Sequence, residues 1–187
     1  NISKNVKFLD ESDAVIFLLD TFSIPYIHDK LNIKGEIELK YDVILNNIID
    51  HFKNGDKKKK EAHFGKPMAF AFSKIDAILD HSEDLAETAI PGMTLDQNSV
   101  FLDGGGVRMD DIDAVSDGLR AALNSWYEDG FVNNAENNYK NLKYFGFSAL
   151  GKNPGNDNHI EGIKPYRVLD PLIWILDQFK YPLLKLK

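Results

Sequence analysis

The amino-acid sequence predicts an α/β fold with a mostly parallel sheet, because short apolar runs alternate with longer amphipathic stretches. The predicted strands cover residues 14–19, 68–72 and 142–147. The first two runs are apolar at every position, which is typical of parallel strands with helices on both faces. We therefore expect three layers, with helices above and below one sheet.

Two long helices are predicted where apolar residues recur three or four positions apart. One covers residues 41–52 and the other covers residues 112–126. The second is expected to begin at Asp110 or Asp111, whose carboxylates suit a helix start, and to end at Gly130.

A third helix is predicted to open with Asp170-Pro171 and to end before Pro182. Asp favours the cap position, and Pro fits the first helical turn because its missing N–H is not needed there. A short helix over residues 4–11 is expected before the first strand. The other long stretches are predicted as loops or insertions: residues 21–40, 56–66 and 90–110.

Length and composition restrict the classes of protein. The chain has 187 residues, which suits a single α/β domain over residues 1–187. It has no cysteine, which excludes disulfides, thiolate metal sites and a cysteine nucleophile. The net charge of −7 argues against a nucleic-acid surface. No apolar run approaches the roughly 18–20 residues of a membrane span, so we expect a cytoplasmic protein.

A candidate binding turn, Ser73-Lys74-Ile75-Asp76, directly follows the second predicted strand. Ligands of open α/β sheets bind at the carboxyl ends of the strands. The turn resembles the guanine-specificity motif of GTPases, in which the carboxylate, here Asp76, accepts two hydrogen bonds from the ring N–H and the exocyclic amine of guanine, a pair of donors that adenine lacks on that edge. The Lys74 stem can lie over the purine face. A capped strand-to-helix turn, with Asp76 as the cap, is the alternative interpretation.

A second turn follows the third predicted strand, at Ser148-Ala149-Leu150-Gly151. This turn resembles the second guanine-contacting element of GTPases, in which a backbone N–H of the small-residue turn reaches the guanine carbonyl oxygen. The small side chain of Ala149 would let the backbone approach the base. The alternative is a strand that ends in a glycine-rich turn with no ligand.

These two turns, in this order and both at strand ends, resemble the base-recognition elements of P-loop GTPases. The sequence is similar to the carboxyl-terminal half of the bacterial double-GTPase type, within the translation-factor-related class. The resemblance implies a Rossmann-like P-loop GTPase fold that binds GTP or GDP with Mg²⁺. It implies that Lys74 and Asp76 read the base, that Ser73 supports their loop, and that Ser148, Ala149 and Leu150 form the second wall.

The sequence also departs from the GTPase pattern. It contains no G-x-x-x-x-G-K-[ST] phosphate-binding loop, and the Gly104-Gly105-Gly106 cluster lacks the following Lys and Ser or Thr. The Asp-x-x-Gly element is missing as well. We therefore expect the amino-terminal strands of the fold, the phosphate cradle and the Mg²⁺ ligands to lie outside this chain. A missing amino-terminal GTPase segment or a partner protein chain would supply them, and no catalytic residue is assigned here.

Two other hypotheses stay open. A pseudo-GTPase would keep the fold as a scaffold or interaction module without hydrolysis. An unrelated doubly wound domain, flavodoxin-like or receiver-like, would share only the architecture.

No two histidines have the spacing of a catalytic zinc motif, so no metal site is predicted.

Overall fold

The computed structural model describes residues 7–37, 40–80, 90, 93, 106–126, 128–152 and 162–182. The beginning of the short helix predicted over residues 4–11, and Gly104 and Gly105, lie outside the described residues. Within the described residues the elements follow in this order: α1 Lys7–Glu11, β1 Val15–Asp20, a 3₁₀ turn Thr21–Ser23, α2 Pro25–Lys30, α3 Tyr41–Lys53, α4 Lys57–Gly65, β2 Met68–Ser73, α5 Ile75–Asp80, α6 Met109–Ser125, α7 Asp129–Asn138, β3 Leu142–Gly146 and α8 Asp170–Gln178.

The three strands form one open parallel sheet in the order β1-β2-β3. Asp20 at the end of β1 is level with Ser73 at the end of β2, and Phe72 is level with Gly146 of β3. All three carboxyl ends therefore meet at one edge. The predicted α/β class is confirmed, and each strand lies within one residue of its predicted bounds.

One face of the sheet is covered by the larger of two apolar clusters. Phe70 and Phe72 of β2 point into it, with Tyr144 of β3 stacked 5.7 Å from Phe70 between ring centroids. Helices α3 and α7 supply the opposing side chains, among them Leu45 and Phe131. The 3–4 residue periodicity of these helices directs one apolar stripe at the sheet.

The opposite face carries a smaller cluster against α8. Ala69 and Ala71 of β2 and Phe145 of β3 are buried there with Ile173 and Trp174 of α8. The two small alanines leave room for α8 to lie close to the sheet. Helices thus cover both faces of β2 and β3, which gives the expected three layers.

Strand β1 is covered on one face only, which corrects the expectation drawn from its continuous apolar run. Leu19 is buried, whereas Ile16 is 46% exposed and Leu18 is 64% exposed. Within the described ranges, β1 also has a strand neighbour on one side only. An apolar run predicts a strand that is buried on both faces, but the side chains that bury it must come from other elements.

Several predicted loops contain helices. Helix α4 lies in the stretch 56–66, with Asp56 as its N-cap accepting a 2.8 Å hydrogen bond from the Lys58 N–H. Helix α2 lies in the stretch 21–40. Gly130 lies inside α7 rather than ending α6, and the N-caps of α6 and α8 are Arg108 and Leu169.

None of the helices in the described portion of the chain has the length and apolarity to cross a membrane.

Candidate functional site

The turn after β2 is tied to the end of β1 by side-chain hydrogen bonds. The Ser73 hydroxyl donates to the Leu19 carbonyl at 3.0 Å, and the Thr21 hydroxyl donates to the Ser73 carbonyl. Lys74 follows in the left-handed backbone region, with φ +59°. A non-glycine residue rarely adopts this conformation, which occurs more often at functional sites than elsewhere.

Lys74 reaches back across the end of β1. Its ammonium is 2.7 Å from Oδ2 of Asp20 and lies 4.9 Å from the centre of the Phe22 ring. The other carboxylate oxygen of Asp20 accepts a 3.1 Å hydrogen bond from the Phe22 N–H. Both charged side chains are partly exposed, so this ion pair adds little stability. The Lys74 ammonium can exchange this contact for one with a ligand.

Asp76 is the second residue of α5 and is only 4% exposed, although it borders a cavity. Among the described residues, none donates a hydrogen bond to its carboxylate. Burying a carboxylate is costly unless a partner satisfies it. The position beside the positive end of a helix offsets part of that cost. The geometry therefore presents an acceptor to whatever occupies the cavity.

The turn after β3 is compact and internally hydrogen-bonded. The buried Ser148 hydroxyl accepts hydrogen bonds from the Leu150 N–H at 3.3 Å and the Gly151 N–H at 2.8 Å. Gly151 has φ +76°, and a Cβ there would lie 1.8 Å from the Lys164 carbonyl oxygen. Only glycine fits this approach. Ala149 and Leu150 are left at the surface of the turn.

The two turns are joined directly. The Phe147 N–H donates to the Phe72 carbonyl at 2.9 Å, and the Ile75 N–H donates to the Phe147 carbonyl at 3.2 Å. A cavity of about 440 Å³ opens between them, within the usual range of small-molecule sites. Its lining is Phe22, Ser73, Lys74, Asp76, Phe147, Ser148, Ala149, Leu150 and Lys152.

All six predicted site residues therefore line one cavity at the carboxyl edge of the sheet: Ser73, Lys74, Asp76, Ser148, Ala149 and Leu150. Sequence reasoning did not select Phe22, Phe147 or Lys152 as site residues. The same rule could have found Phe22, because it follows the first strand as Lys74 follows the second. In the part of the chain that the structure describes, no three His, Asp or Glu side chains are grouped to hold a metal ion.

Fold and site define an α/β chain with a small open parallel sheet and a ligand-sized cavity at its carboxyl edge. Searches against protein-family models, curated proteins and solved structures found no match.

Proposed function

We propose that this chain binds the base of a guanine nucleotide, as part of a GTPase-type switch domain. The observation that carries the proposal is the buried Asp76 carboxylate, which borders a cavity between two strand-end turns. The residue types and their order along the chain resemble those of a GTPase base pocket, with Ser73 standing where Asn or Thr is commoner. A site for an apolar ligand would leave the buried Asp76 carboxylate without a hydrogen-bond donor, and burying a carboxylate in that way is costly.

The chemistry of the cavity suits guanine. Asp76 would accept hydrogen bonds from the ring N–H and the exocyclic amine, and charge makes such a bidentate contact strong. On the opposite wall, a backbone N–H near Ala149 would donate to the guanine carbonyl oxygen. Adenine offers neither the same donors nor that acceptor, so the pocket would select between the two purines.

Lys74 and Phe22 would supply the apolar face for the base. The Lys74 ammonium already lies over the Phe22 ring, 4.9 Å from its centre, and contacts Asp20 at 2.7 Å. A flat base could stack in the same layer, because a lysine stem is apolar along its length. The left-handed backbone at Lys74 fixes the direction in which that stem leaves the turn.

The phosphates and Mg²⁺ would be held by another polypeptide segment, an amino-terminal GTPase segment or a partner chain. The exposed Ile16 and Leu18 side chains support this part of the proposal, as does the outer edge of β1, with which no strand of the described residues pairs. A further parallel strand could pair there and bring a phosphate-binding loop to the same edge. GTP hydrolysis in the cytoplasm would depend on that segment, since it requires phosphate positioning and charge stabilisation.

Titration of the purified chain with fluorescent GDP, with unlabelled GDP and ADP as competitors, tests base recognition. We expect GDP to displace the probe at least about 10-fold more effectively than ADP, the change expected from about one hydrogen bond. Two variants are titrated in the same way. Asp76→Ala removes the carboxylate that borders the cavity, and Asp50→Asn, the control, removes an exposed carboxylate of α3 outside it. Loss of binding in both variants, or no guanine preference, would contradict the proposal and favour the scaffold hypothesis.

Comparison of guanosine with GDP tests where the phosphates bind. If another segment holds them, the two ligands bind this chain with affinities within about threefold, because RT ln 3 is only about half the free energy of one hydrogen bond. A GDP affinity far above that of guanosine would show that this chain holds phosphate itself, which contradicts the phosphate part of the proposal alone.

A further inference from the structure

Arg167 is a charged side chain that is almost wholly buried, with 1% exposed. Its guanidinium lies 2.6 Å from a carboxylate oxygen of Asp111 in α6 and 2.8 Å from one of Asp170, the first residue of α8. Its backbone is left-handed, with φ +51°. One side chain therefore links the amino-terminal turns of two helices to the segment that precedes α8.

This arrangement is costly as a source of stability. A buried ion pair is often no more stabilising than apolar groups of the same size, because the charges lose their hydration. The left-handed backbone of this non-glycine residue adds a further cost. Such features persist where the surrounding structure holds a fixed geometry.

The segment holds the second wall of the cavity. Tyr166, directly before Arg167, exchanges two backbone hydrogen bonds with Ser148, at 3.0 and 2.8 Å. The Lys164 N–H also donates to the Leu150 carbonyl at 3.1 Å. The segment directly before Arg167 is therefore hydrogen-bonded, through Lys164 and Tyr166, to the turn at Ser148 and Leu150.

We propose that Arg167, clamped by Asp111 and Asp170, is the positioning residue of the base pocket. It fixes Tyr166, and through the two hydrogen bonds to Ser148 it sets where the backbone of Ala149 stands relative to Asp76 across the cavity. This inference rests on the proposed function, since it assigns a geometric role in the same site. Arg167 itself does not line the cavity.

Asp111→Asn is the variant that tests this role, because it keeps the side-chain shape and removes one charge of the clamp. Glu136→Gln is the matched control: Glu136 of α7 also pairs with an arginine of α6, Arg120, but away from the cavity. We expect Asp111→Asn to weaken fluorescent GDP binding about 10-fold, as for the loss of one hydrogen bond, and Glu136→Gln to leave it unchanged. Affinities are compared at a temperature where circular dichroism shows both variants folded.

A second readout needs no ligand. The ¹H–¹⁵N amide resonances of Ala149 and Leu150 should shift in Asp111→Asn and stay in place in Glu136→Gln. If the wild-type chain binds no guanine nucleotide, the proposed function fails, and these resonances still decide whether the clamp positions the turn. If wild type binds but a folded Asp111→Asn binds equally well with unshifted resonances, the positioning role is wrong.

Arg167→Lys is the second variant, for the case in which Asp111→Asn does not fold. Lysine keeps the charge but lacks the planar fork that contacts two carboxylates at once. We expect the same loss of GDP affinity and the same resonance shifts as for Asp111→Asn. Full affinity in folded Arg167→Lys would overturn the inference, because the clamp would then be dispensable.

Discussion

Strands β1 and β2 differ in how far other elements cover them, although their sequences are similarly apolar. Strand β2 is buried on both faces, with helices α3 and α7 on one side and α8 on the other. Strand β1 has an equally apolar sequence, but Leu18 is 64% exposed. The cavity and its two turns belong to the covered β2–β3 side.

This difference separates what a strand's composition determines from what its neighbours determine. Apolar residues make a central strand possible, but coverage depends on the elements that pack on it. On the β2–β3 side, coverage fixes the strand ends and hence the cavity. At β1, the exposed Ile16 and Leu18 leave a surface that parallel sheets normally bury, and no strand in the described part of the chain pairs with the outer edge of β1.

The largest expected effect comes from truncating one side chain on each side. Phe70→Ala should cost about 3–5 kcal/mol of unfolding free energy, because Phe70 is fully buried among aromatic rings. Leu18→Ala should change it by about 0.5 kcal/mol or less, since an exposed side chain leaves no cavity behind. Urea unfolding measures both. Equal costs would mean that β1 is covered in solution, for example by self-association.

The covered side should also lose stability in acid, through His63. His63 is 1% exposed, stacks on Phe52 with centroids 3.5 Å apart, and shares a 2.9 Å hydrogen bond with the Tyr139 hydroxyl. Burial, together with the nearby Lys66 ammonium, lowers the pKa of His63 from 6.5 to about 4. The unfolded chain therefore takes up this proton first, and stability falls as the pH drops from 6.5 towards 4.

The loss attributable to His63 should be of the order of 3 kcal/mol over that range. His63→Phe should flatten the pH dependence of the urea midpoint between pH 6.5 and 4. The matched control is His28→Phe, which changes a histidine of α2. A slope that persists unchanged in His63→Phe would show that other groups cause the acid sensitivity.

A smaller effect is expected at the cavity edge. Gly151→Ala would place a Cβ 1.8 Å from the Lys164 carbonyl oxygen at a φ of +76°, so the turn must shift. We expect a loss of about 1–3 kcal/mol in unfolding free energy. Gly65→Ala is the control, because no atom lies within 4 Å of a Cβ there. Similar unfolding curves for the two variants would show that the close approach of Gly151 to the Lys164 carbonyl does not require glycine at position 151.

Much of the fold could be predicted from the sequence. Short apolar runs, the first two of them continuous, located the three strands within one residue, since few other structures place such runs between polar turns. Helix α4 was not predicted, because its four consecutive lysines at residues 57–60 are typical of an exposed loop. The residues of this helix that are buried, His63 and Phe64, form too short an apolar pattern to indicate a helix. The exposure of Leu18 could not be predicted, because it depends on which other elements reach β1.

The candidate site was partly predictable for a similar reason. Ser73, Lys74 and Asp76 follow a strand directly, so the strand-end rule finds them. The Arg167 clamp has no such local signal. Its partner Asp111 is 56 positions away, and the packing of α6 against β3 and α8 brings the two together.

Base preference in Asp76→Asn tests the central claim most directly. An amide at position 76 offers a donor where guanine also has one, but xanthine presents a carbonyl oxygen there. We expect Asp76→Asn to lose about 10-fold or more in GDP affinity and to gain affinity for xanthosine diphosphate, measured by competition against the fluorescent nucleotide. An unchanged preference for guanine over xanthine would contradict the assignment of Asp76 to base recognition.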